Sequence, residues 1–261
     1  EGCRCLAFDA ARRRLYALTY PRDHFVWYDL ERDQLHDLGR LGSVNSQAIF
    51  TDEAGRAFTF NDRGRMVRYD PRADQLEMLD HVYPHESCQS AWHGVLYDAV
   101  RDPGSGAIYT VPWKTRPHLA RYWPNDGPTG RWEDLGRLTA AYRGDRPISV
   151  NSDHVGGLVF ANDGRLYYVK SVWDDPSIID HLDRQTSGAS GIAQLCRFDP
   201  ATNVHEDIVS LWTGPGRHHY VSRGGCDATG DLFFGKVLAS PSGFYRVSGL
   251  GLGGAAPRTW G

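Results

Sequence analysis

The chain repeats itself, and the repeat limits its fold more than any other feature. An aromatic residue followed by Asp-Pro or a relative of it recurs as WYDL (27–30), RYDP (68–71), RYWP (121–124), RFDP (197–200) and FYRV (244–247). The intervals Tyr28 to Tyr69, Tyr69 to Tyr122, Tyr122 to Phe198 and Phe198 to Tyr245 are 41, 53, 76 and 47 residues. The third therefore holds an insertion of roughly 25–30 residues over the ~45 typical of one four-stranded repeat.

Each unit runs through the same parts. An apolar run (CLAFD, QAIFTD, GVLYD, GLVFAND, GCDAT) turns tightly into a second (RLYALTY, RAFTF, AIYTV, RLYYV, DLFFG), and the aromatic-Asp segment makes the third. A fourth follows in four units as QLHDLGRL, QLEML, RWEDLGRL and HEDIVSL. The turns NDRGR (61–65), NDGR (162–165) and DPGSG (102–106) offer the positive-φ positions that hairpins need. The expected fold is all-β, a β-propeller of four-stranded antiparallel blades at about 3–42, 43–80, 92–138, 154–212 and 220–260, in one domain with an insertion at 171–190. A β-sandwich also has many short strands, but it would not repeat DLGRL at 37–41 and 134–138 in the same place in the unit. Five blades are visible, and the alternative is a part of a seven-bladed propeller.

Composition agrees. Of 261 residues, 29 are Gly and 31 aromatic (8 Trp, 13 Tyr, 10 Phe), the profile of a turn-rich β protein. A net charge of −3 gives no bulk field for nucleic acid or membrane, and no apolar run approaches a membrane span. The chain opens on Glu1 with neither Met nor an apolar leader, which reads as a mature form, a trimmed form or a fragment, so targeting is not legible. Cys3, Cys5, Cys88, Cys196 and Cys226 are odd in number and lack CxxC spacing, so neither a zinc site nor a disulfide framework is signalled.

In a propeller, the loops leading into the innermost strands share one end with the loops joining second and third strands, and loops on a rigid scaffold carry function. Ahead of innermost strands stand Asn45, Trp92-His93, Asn151 with His154, and His218-His219-Tyr220 with Arg223. After second strands come Arg22, Arg63, Trp113-Lys114 with Arg116, Lys170 with Trp173, and Lys236. Together they describe a cationic, aromatic-lined pocket. Taken singly, any of these cations is a solvated strand end. His24, His36, His81, His85, His118, His181 and His205 read as surface or satisfied histidines, and Asp29, Asp70 and Asp199 as turn or inter-blade partners rather than acids. Tyr16, Tyr109, Tyr167 and Phe233 read as core. NDRGR lacks the carboxylate spacing of a calcium loop and reads as a hairpin. The insertion 171–190 has the position of a lid over the pocket.

Aromatic faces stack on pyranose rings, and Arg or Lys neutralises a carboxylate through charge-assisted hydrogen bonds. In its repeat architecture and in the His/Tyr/Arg set on the rim, the chain resembles the propeller-fold polysaccharide lyases of the ulvan and rhamnose–glucuronate type. The resemblance implies β-elimination beside a uronic acid. Arg223 or Lys170 would neutralise the uronate, and His154 and His219 would act as base and acid, with Tyr220 as the alternate acid. His93 and Asn151 would position the sugar. It also implies an acidic glycan as partner and, through that activity, secretion or a periplasmic location; the expected chain is a monomer with no cofactor, a divalent metal staying open. Two alternatives stay open: a non-enzymatic carbohydrate- or protein-binding propeller, and a metal-dependent lactonase or hydrolase, for which only Asn45, Asn151 and Asp153 offer ligands. No GxSxG signals a serine nucleophile.

Overall fold

The computed structural model describes residues 2–42, 46–82, 96–112, 117–138, 153–173, 190–215, 220–237, 243–250 and 258–260. Among the described residues no helix forms, so none is long and apolar enough to cross a membrane. Strands group in fours. Blade 1 holds β1 (Gly2–Asp9), β2 (Arg14–Tyr20), β3 (His24–Asp29) and β4 (Gln34–Arg40). Blade 2 holds β5 (Phe50–Thr51), β6 (Ala57–Phe60), β7 (Arg65–Asp70) and β8 (Gln75–Val82). Blade 3 holds β9 (Leu96–Arg101), β10 (Ile108–Pro112), β11 (His118–Trp123) and β12 (Arg131–Arg137). Blade 4 holds β13 (Asp153–Phe160), β14 (Leu166–Trp173), β15 (Ser190–Asp199) and β16 (Val204–Pro215), and blade 5 holds β17 (Tyr220–Cys226), β18 (Leu232–Val237), β19 (Gly243–Ser248) and β20 (Arg258–Trp260).

Every sheet keeps its strands in sequence order. The chain is all-β, five blades of four antiparallel strands, the β-propeller class read from the repeat. The insertion begins later than expected: residues 171–173 extend β14 and pair with 191–193 of β15. The lid assigned to the rest of it lies at 174–189, outside the described residues. Two compact units form, Glu1–Trp113 with Ala120–Asp134, and Lys114–Leu119 with Leu135–Gly261.

The repeated aromatic-Asp segment builds the turn from the third strand to the fourth. The carboxylates of Asp29, Asp70 and Asp199 each accept the backbone N–H two residues on, from Glu31 (2.9 Å), Arg72 (2.8 Å) and Ala201 (2.9 Å). Such bonds stabilise the ionised form and hold the carboxyls of Asp29 and Asp199 below the usual range, with the Arg32 N–H first for Asp29 and the Ala201 N–H first for Asp199. The preceding tyrosine closes the turn from the other side: Tyr28 donates to Asp33, and Tyr69 to Asp74 (2.6 Å). Asp33, Asp74 and the corresponding Asn203 all adopt left-handed backbone, φ 55°, 52° and 57°, which Asp and Asn tolerate best among residues with a side chain. NDRGR is likewise a hairpin, with the Asn61 side chain accepting N–H groups from Arg63 (3.0 Å) and Arg65 (2.9 Å).

In the first unit, Cys5, Tyr16, Leu18, Phe25 and Trp27 of blade 1 pack on Ile49, Ala57 and Tyr69 of blade 2. Phe50, Phe58 and Phe60 of blade 2 pack in turn on Leu96, Ile108 and Tyr122 of blade 3. Tyr16, Tyr109 and Tyr167 are fully buried core residues as read, each contributing about 2 kcal/mol of burial. Phe233 is not: it stays partly exposed against Phe244 (6.0 Å between centroids), and its neighbour Phe234 takes the core position at 0 % exposure.

In the second unit the inner strands β13 and β17 touch backbone to backbone. A Cβ on Gly224 would stand 2.4 Å from the Gly157 carbonyl oxygen, and one on Gly157, whose φ is +72°, would stand 2.7 Å from Val221. Both strands carry a β-bulge at this level, between Gly156 and Val159 and between Val221 and Gly224.

Candidate functional site

In blade 4, β13 pairs with β14 in the register His154 to Ser171 and Val155 to Lys170. In blade 5, β17 pairs with β18 as Tyr220 to Val237 and Val221 to Lys236. Within the second unit, His154 and Tyr220 thus stand at the starts of inner strands, with Lys170 inside β14 and Lys236 one residue from the end of β18. The bulge in β17 leaves Ser222 and Arg223 facing the single residue Gly235, a geometry that re-aims side chains out of the ladder. Arg223 is exposed, with its Nη1 donating to the Ser222 carbonyl at 3.1 Å.

The side chains differ in what they offer. His154 is 1 % exposed, and both its ring nitrogens are closed off from solvent. Lys170 is held by Asp207 of β16 through both carboxylate oxygens, at 2.7 and 2.9 Å. Lys236 lies 4.9 Å over the Tyr245 ring, a cation–π contact. For Tyr220 and Trp173 only the strand positions are described. Asn45, Trp92, His93, Trp113, Lys114, Arg116, Asn151, His218 and His219 lie outside the described residues.

Beside Lys170 is a polar cluster on one blade. Asp207 also accepts the Cys196 thiol (Sγ to Oδ1, 3.3 Å), and Tyr168 meets His205 (Oη to Nδ1, 3.2 Å). Burial pushes Asp207 upward, but the bonds from Lys170 and Cys196 outweigh it and hold the carboxyl below the usual range. Burial drives the Cys196 thiol and the Tyr168 hydroxyl well above their ordinary values, so both stay protonated and unreactive near neutral pH. Burial also lowers His205, keeping its ring neutral. Among the described residues no three His, Cys, Asp or Glu side chains gather as a metal site.

The corresponding loop of blade 1 holds a group that reading for cations passes over. Asp23, between Arg22 and His24, is 1 % exposed at φ 58°, and neither carboxylate oxygen accepts a hydrogen bond. Burial raises it to about 6, with Asp62 adding to the rise and Arg4 and Arg40 opposing it. An acid next to a residue typical of turns was the only signal in the sequence, and burial, which decides its chemistry, has no local signature.

No protein-family model matches the chain, and no curated protein matches it in sequence. Solved structures match its fold. The extracellular domain of BT4673 from Bacteroides thetaiotaomicron is 11 % identical at a TM-score of 0.59, covering 94 % of this chain and 27 % of that one. Regucalcin from Agrobacterium tumefaciens, described as a calcium-binding protein, is 13 % identical at 0.56, covering 96 % and 71 %. The β-propeller domain of Cps50 (Swd1) from Myceliophteria thermophila is 10 % identical at 0.53, covering 99 % and 71 %. The chain therefore spans about a quarter of the length of the BT4673 domain. At these identities the likeness shows the propeller fold alone.

Proposed function

We propose that the protein is a carbohydrate-binding propeller that takes an acidic saccharide where second strands run out toward third ones. The observation that carries this reading is the cationic set of the second unit. Lys236 pairs across from Val221 of the inner strand and the β17 bulge turns the exposed Arg223 out of the ladder, while Lys170, at the matching place in blade 4, is already balanced by Asp207. An ammonium and a guanidinium group on paired strands of one blade suit a carboxylate through charge-assisted bonds. β-Elimination beside a uronate asks for more, a base and an acid within reach of the sugar. Of the groups assigned those roles, His154 has its ring nitrogens shut off from solvent, and the side chains of His219 and Tyr220 lie outside the described residues. Recognition without turnover is the reading these facts favour.

The test is calorimetric titration with glucuronate- and galacturonate-containing oligosaccharides, run beside absorbance near ~235 nm, where an unsaturated uronate absorbs. Saturable binding that weakens with salt, falls about tenfold in Lys236→Met and leaves the absorbance flat is expected. Rising absorbance that disappears in His219→Ala would replace binding with lyase activity. No heat with any acidic glycan would end both readings.

A further inference from the structure

We infer that the turns of blades 2 and 3 form a separate site for a neutral saccharide, one or two sugar rings in size. The inference goes beyond the proposed function and uses none of its residues. A cleft of about 370 Å³ lies there, lined by Glu53 from the β5–β6 turn, Ser105 from the β9–β10 turn, and Trp123, Asn125, Asp126 and Arg131 around the β11–β12 turn. That volume falls within the ~300–1,000 Å³ of small-molecule sites.

The cleft exists because the third-to-fourth turn of blade 3 is longer than its counterparts. Tyr28 and Tyr69 close theirs on a residue five positions along, whereas Tyr122 reaches the Thr129 carbonyl, seven along, at 2.7 Å. The added length, WPNDGPTG, is pinned to blade 2. Arg56 donates through Nη2 to the Pro124 carbonyl (3.1 Å) and to Asn125 Oδ1 (2.7 Å), while its Nε is fixed on Asp52 (2.6 Å). Arg68 donates to the Pro128 carbonyl at 2.8 Å. A loop held at both ends before a ligand arrives loses little entropy on binding. Across the opening, Gly106 has φ +75°, and a Cβ there would stand 3.4 Å from the Glu53 carboxylate.

Charge selects the ligand class. Two guanidinium carbons already lie near the Trp123 ring, those of Arg121 at 5.4 Å and Arg131 at 5.9 Å from its centroid. A further cation on that ring would meet their repulsion. An anion would meet Glu53, whose carboxylate has no counter-charge among the described residues, and Asp126, whose charge Arg131 already balances. A neutral ring with an apolar face and several hydroxyls suits what remains. Its C–H face stacks on the indole, its hydroxyls donate to Glu53, and the Asn125 amide nitrogen, uncommitted while Arg56 holds the oxygen, donates in return.

The test titrates the protein with glucose, galactose, mannose, N-acetylglucosamine, maltose and cellobiose while following the tryptophan indole N–H signals by 15N NMR. One signal, identified by its absence in Trp123→Phe, should shift saturably with at least one of these sugars at millimolar or tighter affinity. Glu53→Gln, a substitution at an exposed and unpaired side chain, should weaken that binding about tenfold with an unchanged melting temperature. Lys236→Met should leave it unchanged, which separates this site from the acidic-glycan reading. No shift with any of the six sugars, an equal shift in Glu53→Gln, or stronger binding of glucuronate or arginine methyl ester at the same indole would overturn the assignment.

Discussion

Asp23 shows how one residue's surroundings set its chemistry. Its carboxyl is buried without a hydrogen-bond donor, and its folded value of about 6 stands above an ordinary 3.8. A raised acid binds its proton more tightly in the folded state, so its contribution is fully favourable below about 3.8 and is lost as pH rises through 6. Asp23→Asn should therefore stabilise the protein by about 3 kcal/mol at pH 8, with the gain shrinking through pH 6 and absent below 3.8. Urea unfolding of both proteins across that range gives the answer, and a difference that does not vary with pH would show that Asp23 is not held neutral. The third-strand arginines show the reverse case, a residue type with one repeated job. Arg68, Arg121 and Arg197 reach Glu77 (2.6 Å), Glu133 (2.7 Å) and Glu206 (2.9 Å) on the fourth strand. At the same place in blade 1 the pair is Trp27 stacked on His36, 3.7 Å apart and 6° from parallel. Such partly exposed ion pairs are worth at most about 1 kcal/mol each, and in blade 1 a stacked pair stands in the place of one.

At the scale of strands, the glycines of blades 4 and 5 separate two roles that look alike in sequence. Both GG pairs, 156–157 and 224–225, lie on inner strands. Gly157 and Gly224 meet, whereas a Cβ on Gly225 would find nothing within 4 Å. Gly157→Ala and Gly224→Ala should each lower stability by about 2 kcal/mol or more, and Gly225→Ala by less than about 1 kcal/mol. Thermal melts of the three variants decide it; equal losses would mean the two inner strands do not rely on this approach. The blade pattern was legible because apolar alternation, turn residues and the aromatic-Asp segment are local signals that agree with one another. The bulges that set Gly157 and Arg223 were not, because a bulge is a mismatch between two strands and neither strand carries it alone. Phe233 holds the register place of Tyr109 and Tyr167, paired with Arg246 as they are with Arg121 and Arg197, and its greater exposure depends on what surrounds the blade, which the repeat does not carry.

For the whole molecule, the same distinction separates fold from function. Repetition made the propeller readable without any relative in sequence. The site reading rested on loops, where residue type indicates position but neither burial nor pairing. Lys170 read as a free cation and is bound to Asp207. The cleft at Trp123 was missed because RYWP was read only as one more copy of the repeat. Its departure from the other copies, Trp-Pro-Asn-Asp in place of Asp-Pro, was the available signal. The Tyr122 hydroxyl closes its turn on a main-chain oxygen, whereas Tyr69 uses an aspartate side chain. A main-chain acceptor asks for no particular side chain at its position, and the anchors on Pro124 and Pro128 leave the tip between them free to lengthen. Between Asp126 and Gly127 the protein should therefore accept foreign peptide as a graft: six Gly/Ser residues there should cost less than about 1 kcal/mol by calorimetry, in line with the slow growth of loop entropy with length. The same six residues between Gly157 and Leu158 should prevent folding. If the first insertion also unfolds the protein, the turn is a structural strut and not a port.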